Sequence, residues 1–349
     1  MSDAKVLPSL SVVITTHEQH DALQEHLPMV LQQDYPADFE VIVVDMNSTD
    51  ETLSLLEQMA KRYPCLHTIQ IPPTARDISP VRLALTLGIR AASYDWVVLT
   101  DANCQPASVN WLSRMGECCM EREATEIVLG STLWVGGKGW HGLRCRFFHA
   151  WQQQLNLSFA QKHGAYRCDG TNLCYRRSLF LEHRGFADDA NLMMGATDIM
   201  VNRHSRRRNT AVCLHPEARM LQETPRYRSW WNEERLFFME TRRHFKRSLL
   251  YRMGYLGRVL SVWLPTLGAA AGIGWAVYRH HDAIAIAVAV LWILYNLTLT
   301  YSFNKRLKAT GEHFPFAYIP LLHLVPWWDG TAWLQWLFTK QQTFRKKAF

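Results

Sequence analysis

The sequence lacks the short motifs that mark several common kinds of site. Its eight cysteines include no CxxC pair, a spacing that fits neither a zinc site nor a small disulfide framework, so we expect reduced thiols in a cytosolic compartment. It has no GxxxxGKS/T motif, which leaves a P-loop unsupported. The first ten residues lack the basic start and apolar core of a signal peptide, so we expect the first part of the chain to stay in the cytoplasm.

Charge is distributed unevenly along the 349 residues. Residues 1–202 carry 16 Lys+Arg and 23 Asp+Glu, whereas residues 203–258, the basic collar, carry 14 and 5. Residues 259–303 carry one of each, and residues 304–349 carry 7 and 2. An acidic first part, a basic collar, a nearly uncharged stretch and a basic tail indicate a soluble domain attached to a membrane rather than a uniform nucleic-acid binder.

Short apolar runs alternate with helix-like segments over the first part of the chain. The runs are Leu10–Ile14, Val41–Val44, Trp96–Leu99 and Ile127–Leu129. This order is typical of βαβ units, and the near-continuous Val and Ile content predicts parallel strands that are buried on both faces.

A segment between the second and third runs predicts a helix, and the segment after the last run predicts a loop-rich region. A helix is predicted to begin at Ser79-Pro80 and to bury Leu83, Leu87 and Ala91. Over residues 140–202 the periodicity weakens, which favours a loop-rich part of the same domain.

Polar side chains cluster where three of the predicted strands end. Thr15–Glu18 follow the first run, Asp45–Ser48 the second, and Asp101–Asn103 the third. Ligands of open parallel sheets bind at the carboxyl ends of the strands, so the three ends together predict a binding site. Any one of these Asp residues alone would be equally compatible with a turn or a helix cap.

Two late segments, 259–278 and 283–303, are each about 20 residues long and nearly free of charge, the length that a membrane-spanning helix needs. Only four residues separate them, which predicts a helical hairpin. A buried hairpin of a soluble protein is the alternative, and the basic flanks disfavour it. A third segment, 314–338, contains three Pro and Asp329 and is predicted to lie in the membrane interface, with its Trp residues at headgroup depth.

Six segments in this order resemble the motifs of the family 2 glycosyltransferases. They are SVVITTHEQ at 11–19, QQDYPADFEVIVVDMNSTDET at 32–52, TDANCQPASVNWL at 100–112, GTNLCYRR at 170–177, GATDIMVN at 195–202 and ETRRH at 240–244. The resemblance covers most of residues 9–245. It implies an α/β fold, with a Rossmann-like GT-A catalytic domain of mostly parallel sheet over residues 1–245 and a membrane-associated region over 246–349.

The resemblance also implies an activity and a location. The expected reaction moves a hexose from a nucleoside diphosphate sugar, with UDP as the expected nucleotide, to a lipid-linked or cell-envelope glycan acceptor, with inversion at the anomeric carbon. The expected partners are the donor, the acceptor and membrane lipids, without nucleic acid. The expected location is the bacterial inner membrane, with the catalytic domain in the cytoplasm.

Residue roles follow from the matching motifs. Nucleotide binding is implied for Thr15, His17, Asp45, Arg82 and Asp101. A divalent cation, Mg²⁺ or Mn²⁺, would be held by Asp101 and Asn103.

The remaining implied roles concern the transfer itself. Arg243 and His244 would add positive charge at the diphosphate, and Asp198, the last acid of the TED-like motif, would be the general base. Acceptor-side contacts are implied for the loop with Gly170, Thr171 and Asn172.

Several departures from the family pattern keep other functions open. Asn103 replaces the second acid of the DxD motif, Met46 replaces an acid after Asp45, and Glu240 and His244 replace the Gln and Trp of QxxRW. A diverged, non-catalytic membrane protein that binds nucleotide sugars is therefore an alternative. A nucleotidyltransferase is a weaker one, because the first loop has no Gly or Lys, and so is a nucleic-acid surface on the basic collar.

Overall fold

The computed structural model describes residues 6–73, 78–308, 310–315 and 319–344. The strands in chain order are β1 (Leu10–Thr16), β2 (Phe39–Asp45), β3 (Leu66–Gln70), β4 (Trp96–Asp101), β5 (Cys104–Pro106), β6 (Ile127–Leu129), β7 (Thr132–Val135), β8 (Leu173–Arg176), β9 (Thr210–Val212) and β10 (Met220–Glu223).

The α-helices in chain order are α1 (His20–Leu31), α2 (Thr52–Arg62), α3 (Pro80–Ala91), α4 (Trp111–Cys119), α5 (Gly139–His163), α6 (Arg177–Glu182), α7 (Ala196–His204), α8 (Arg228–Thr241), α9 (Leu249–Tyr278), α10 (Asp282–Leu307) and α11 (Ile319–Phe338). Short 3₁₀ turns include Ala187–Asp189 and Arg242–His244.

A mixed but mostly parallel sheet forms the centre of the fold. Its strand order is β3-β2-β1-β4-β8-β6-β9, and β8 runs antiparallel to both of its neighbours. A second sheet has the order β5-β10-β7. The four apolar runs of the sequence all lie in buried strands of the main sheet, so the predicted α/β architecture is confirmed.

Helix α3 packs against this sheet through a face that the sequence pattern predicted only in part. Its buried residues are Arg82, Ala84, Leu85, Gly88 and Ile89. Of the predicted inward residues, Leu83 and Leu87 are half-buried and pack against the core, whereas Ala91 is exposed. The helix approaches β1 so closely that a Cβ on Gly88 would lie 2.5 Å from a methyl carbon of Val13. This close packing centres the buried face on Gly88 and leaves Leu83 and Leu87 at its edge.

The long helix α5 corrects the prediction of a loop-rich region. It has 25 residues and lies within the 140–202 segment that was predicted to be loop-rich. Its buried residues lie on most sides of the helix, because the sheet, α9, α10 and α11 surround it. A helix that is buried on most sides carries no amphipathic period, which explains the weak sequence signal.

Helices α9 and α10 form the predicted hairpin. They have 30 and 26 residues, and both are long and apolar enough to cross a membrane. Helix α9 begins ten residues before the predicted start at 259, and α10 ends four residues after the predicted end at 303. These additional turns contain charged residues, so the apolar pattern did not include them.

The C-terminal helices make hydrogen bonds to the first 245 residues of the chain. Helix α11 packs along α8, where the indole N–H of Trp336 donates to Glu240 at 2.9 Å. Further on, the backbone N–H of Met193 donates to the carbonyl of Phe344 at 3.1 Å. The predicted region 246–349 therefore shares an extensive interface with residues 1–245. The predicted tail residues Arg345, Lys346 and Lys347 lie outside the described residues.

An aromatic contact joins α5 to α10 and to the segment that follows α10. The ring of Phe147 is buried, and its centroid lies 5.4 Å from that of Phe303 and 5.0 Å from that of Phe314. Burial of such rings contributes more than their area alone, because edge-to-face pairs add about 0.5–1.5 kcal/mol each.

We predict that Phe147→Ala lowers the free energy of unfolding by about 3–5 kcal/mol, because truncation of a buried Phe loses its transfer free energy and leaves a cavity. Thermal unfolding of the full chain in detergent measures the loss. The matched control is Phe338→Ala, whose ring is 87% exposed, and it should unfold within a degree or two of wild type. Equal melting temperatures for the two variants would contradict this account of how the helices are joined.

Candidate functional site

The ends of β2, β1 and β4 lie side by side. The strand register pairs Thr16 with Asp45 and Thr15 with Asp101, so the two carboxylates flank the end of β1. The structure thus brings together three strand ends that the sequence predicted to meet. Thr15 lies between the two Asp residues, half-buried, whereas His17 lies in the exposed loop that follows.

Asp45 closes the turn after β2. Its side chain is 1% exposed and accepts hydrogen bonds from the backbone N–H of Ser48 at 3.1 Å and from the Ser48 hydroxyl. The Ser48 hydroxyl oxygen in turn accepts from the backbone N–H of Glu18 at 2.9 Å. This network fixes the loops after β1 and β2 relative to each other. Asp45 therefore has a turn-forming role in this structure.

Asp101 lies at the end of β4 and is partly exposed. Its carboxylate accepts the backbone N–H of Asn103 at 3.3 Å, and the side chain of Asn103 is exposed. Burial by the surrounding protein raises the pKa of Asp101; the N–H groups of Asn103 and Ala102 oppose this, while the charge of Asp169 adds to it.

Asp169 is the centre of a hydrogen-bond network that the sequence did not reveal. It interacts with His149 Nε2 at 3.3 Å and accepts the Thr171 hydroxyl at 2.8 Å. The imidazole of His149 stacks on Trp134, with ring centroids 4.4 Å apart. Burial raises the pKa of Asp169, but the bonds from His149, Thr171 and Thr132 outweigh it and lower the pKa to about 2. This carboxylate is therefore held ionised.

Asp198 lies in the first turn of α7. One oxygen accepts the backbone N–H of Cys168 at 3.0 Å, and the other lies 3.4 Å from Arg167 Nη2. The guanidinium of Arg167 is itself held over the ring of Phe238, 4.0 Å from its centroid. Burial raises the pKa of Asp198, and the charge of Arg167 offsets this only in part. The site thus holds a carboxylate that takes up a proton more readily than an ordinary Asp.

Glu234 on α8 adds a fourth carboxylate to this part of the molecule. Water reaches its side chain, yet the protein around it removes much of its solvation, and this raises the pKa of Glu234. The charges of Arg167 and His149 lower that pKa, whereas those of Asp169 and Asp198 raise it. We call Asp101, Asp169, Asp198 and Glu234 the acidic site, because their charges influence one another.

The loop with Gly170, Thr171 and Asn172 lies against this site. A Cβ on Gly170 would lie 2.9 Å from the hydroxyl oxygen of Thr197, so glycine permits the close approach of this loop to α7. Asn172 is 1% exposed, and its amide N–H groups donate to the carbonyls of Ser131 and Ala218, each at 2.8 Å. Asn172 therefore fixes the loop, and Thr171 points to Asp169.

Arg82 occupies a buried position on α3. Its guanidinium donates to the carbonyl of Leu192 at 2.8 Å and to that of Met194 at 3.0 Å. These bonds fix the segment that leads into α7. The structure thus gives Arg82 a role in positioning the helix that carries Asp198, rather than an exposed position at the strand ends.

Arg243 and His244 lie in the 3₁₀ turn after α8. Arg243 is half-exposed and lies 3.6 Å from the carboxylate of Glu240. His244 Nδ1 lies 3.2 Å from Asp189, and its Nε2 lies 3.8 Å from Glu240. The charged contacts of these two residues are therefore made with Asp189 and Glu240 rather than with the acidic site.

The donor chemistry at the end of β4 is compatible with a divalent cation. Asp101 supplies a carboxylate and Asn103 an exposed amide oxygen, both hard oxygen ligands. Among the described residues, no three His, Cys, Asp or Glu side chains form a complete ligand set. A cation that takes most of its ligands from phosphate and water needs only one or two protein oxygens, so Asp101 and Asn103 suffice.

Four residues of this region were not identified from the sequence. Asp169 directly precedes Gly170 of the matched loop, so its position was a usable signal. His149, Arg167 and Glu234 lie outside the matched motifs, and long-range packing of α5, the 164–172 loop and α8 brings them together.

Comparisons with known proteins show which family and which fold the chain resembles. The family model described as "Glycosyl transferase family 2" matches residues 11–184. The solved mannosyltransferase PcManGT from Pyrobaculum calidifontis, in complex with GDP-Man and Mn²⁺, is 18% identical with a TM-score of 0.59, over 97% of this chain and 89% of that chain. S. aureus TarS 1–349 is 17% identical with a TM-score of 0.47, over 93% and 89%. No curated protein sequence matches significantly. The similarity to the mannosyltransferase supports the same fold.

Proposed function

Because the chain belongs, through residues 11–184, to the family 2 glycosyltransferases, we propose that it moves a sugar from a nucleoside diphosphate sugar to a lipid-linked or cell-envelope glycan acceptor. UDP is the proposed nucleotide. The single observation that carries the reaction is the placement of Asp198, a carboxylate of raised pKa held by Cys168 and Arg167 within the acidic site.

The transfer needs an acceptor oxygen that loses its proton as it attacks. In the proposed step the acceptor hydroxyl gives its proton to Asp198, its oxygen bonds to the anomeric carbon, and the bond from that carbon to the diphosphate breaks with inversion. A general base works best when its pKa lies near the working pH, and the raised pKa of Asp198 moves it in that direction. Thr15, His17 and Asp45 are proposed to contact the nucleotide, and the Gly170–Asn172 loop the acceptor.

We predict that Asp198→Asn lowers the rate of transfer about 10²–10⁴-fold, the usual contribution of a general base. Nucleotide binding, measured by calorimetry, should stay within a few-fold of wild type. The matched variant is Glu234→Gln, which removes the other carboxylate of raised pKa and should retain most of the activity. The reverse pattern, with Glu234→Gln inactive and Asp198→Asn active, would assign the base to Glu234.

The pH profile gives a second readout from the same site. The base acts only when deprotonated, so activity is lost as the pH falls below the pKa of Asp198. Arg167→Gln removes a positive charge that favours the carboxylate, so the pKa rises further and the acid limb of kcat/KM shifts to higher pH. If the acid limb does not shift, the charge of Arg167 does not act on the pKa of the catalytic base.

A divalent cation is proposed at Asp101 and Asn103. The Mn²⁺ bound to the mannosyltransferase of the same fold supports this proposal. When bound, such a cation would neutralise charge on the departing diphosphate. The contacts of Arg82 support a positioning role, in which its bonds to the carbonyls of Leu192 and Met194 set the start of α7. Arg243 and His244 are proposed to contribute positive charge from the far side of that helix.

We predict that Asp101→Ala abolishes Mn²⁺ binding measured by electron paramagnetic resonance in the presence of nucleoside diphosphate. Asn103→Asp should tighten Mn²⁺ binding, because it replaces a neutral oxygen ligand with a charged one. Mn²⁺ binding that is the same in wild type and both variants would rule out the proposed ligands, and transfer that is indifferent to chelators would rule out the cation.

The proposed location is the bacterial inner membrane, with the catalytic domain and the basic collar in the cytoplasm. The collar adjoins α9, in agreement with the tendency of basic residues to stay on the cytoplasmic side. Helix α11 is proposed to lie in the interface on the same side. Its packing on α8 supports this position. The exposed fractions of Trp327 and Trp333, 63% and 50%, leave both indoles accessible to lipid headgroups.

Protease-cleavable epitope tags test this topology in sealed inner-membrane vesicles. A tag after Phe349 should be cleaved only from the cytoplasmic face, and a tag inserted at residues 279–282 only from the opposite face. The two tags serve as controls for each other. Cleavage of the Phe349 tag from the non-cytoplasmic face would show a third crossing and overturn the arrangement.

A further inference from the structure

A pocket lies on the other side of α7 from Asp198. It has a volume of about 190 Å³ and lies among α3, the 185–189 segment and α7. The α7 residues that line it are Ala196, Ile199, Met200, Arg203 and His204. At 100° per residue, Asp198 points roughly 165° away from the centre of this face. The pocket is therefore separate from the acidic site, although one helix borders both.

Arg82 gives this pocket a buried cation with an unused donor. Its side chain lines the pocket and is 2% exposed. Nε and Nη2 donate to the carbonyls of Leu192 and Met194, but Nη1 has no hydrogen-bond partner within the described part of the chain. The ring of Phe186, 5.7 Å from the guanidinium carbon, is a weak substitute. A buried charged donor without an acceptor is costly, and it favours binding of an external anion.

The charges around the pocket add to this preference. Arg203, Lys246, His183 and His204 line it together with Arg82. The two carboxylates that line the pocket, Asp188 and Asp189, neutralise its positive charge only in part. Asp189 lies 2.8 Å from Arg203 and 3.2 Å from His244, so its charge is already shared between two partners. The side chain of Asp188 is 71% exposed and lies 3.8 Å from Arg203.

The pKa of His204 is lowered by burial and by the positive charges around the pocket. Burial lowers the pKa of His204 to about 4, and the charges of His183, Arg203, Arg206 and Lys246 act in the same direction. Its ring stacks on that of His183, with centroids 4.0 Å apart. An anion in the pocket would oppose all of these effects except burial.

We propose that this pocket binds a phosphate group. The shared chemistry is a compact anion with several acceptor oxygens, which suits Arg82 Nη1, Arg203 and Lys246. The source is a free phosphate or the headgroup of an anionic lipid, since Lys246 lies three residues before the start of α9, which is long and apolar enough to enter a membrane. The bound group would fix the pocket face of α7 while the opposite face presents Asp198.

The test is binding of inorganic phosphate to the full chain in neutral detergent, at an ionic strength matched with chloride. We expect a saturable rise in melting temperature, as for any ligand that binds only the folded state. Lys246→Met should weaken the apparent affinity at least fivefold, because it removes one cation at an exposed position. The matched control, Arg208→Gln, removes an exposed charge of the same basic collar outside the pocket and should leave the affinity within twofold.

A second readout keeps the test independent of folding effects. Histidine NMR should show the pKa of His204 rising when phosphate is added, since an anion favours the imidazolium form. The proposal is overturned if phosphate gives no saturable effect, if Arg208→Gln weakens binding as much as Lys246→Met, or if the pKa of His204 does not move. None of these measurements depends on the proposed transferase reaction.

Phosphate binding in membranes of two different compositions distinguishes a lipid headgroup from a free phosphate. The full chain is reconstituted in nanodiscs of phosphatidylcholine alone and of phosphatidylcholine with phosphatidylglycerol, and phosphate binding is measured in each. A headgroup occupant predicts that phosphatidylglycerol competes with inorganic phosphate. Equal phosphate affinity in the two membranes upholds the pocket and assigns it to a free anion.

Discussion

The parallel pairing of β1 with β2 and β4 is the constraint on which the rest of the site depends. In that register, Thr16 pairs with Asp45 and Thr15 with Asp101, so two carboxylates flank one strand end without any long-range loop contact. The strands themselves are held by buried Val and Ile on both faces, so the site lies at the end of well-packed strands rather than on loops alone. The turn bonds of Asp45 to Ser48 then order the two loops above this edge.

A second group of charges is brought to this edge by helices rather than by strands. Helix α5 supplies His149, the loop after it supplies Arg167 and Asp169, and α7 and α8 supply Asp198 and Glu234. The environments of these carboxylates differ: hydrogen bonds lower the pKa of Asp169 to about 2, whereas burial raises those of Asp198 and Glu234. One site thus contains both a permanently charged acceptor and candidate proton acceptors, the division of roles that acid–base chemistry requires.

The sequence predicted the strands and the strand-end residues because both depend on local pattern. It failed where tertiary packing overrides pattern. Helix α5 has no amphipathic period because it is buried on most sides. Helix α3 centres its buried face on Gly88, with Leu83 and Leu87 at the edge of that face, because Gly88 allows the backbone to approach Val13. Arg167 and Glu234 could not be found from spacing, since they meet only after α8 folds back over the 164–172 loop.

The central claim is that the strand ends and α7 together form a working transferase site, rather than a retained nucleotide pocket. The most direct measurement is release of nucleoside diphosphate by the purified full chain, with a panel of nucleotide sugars, membrane extract as acceptor, and Mn²⁺ present. We predict that one donor is consumed and that release of its nucleoside diphosphate depends on the acceptor extract. Folded protein that binds a nucleotide but releases no diphosphate from any donor would contradict it, and would favour the non-catalytic alternative.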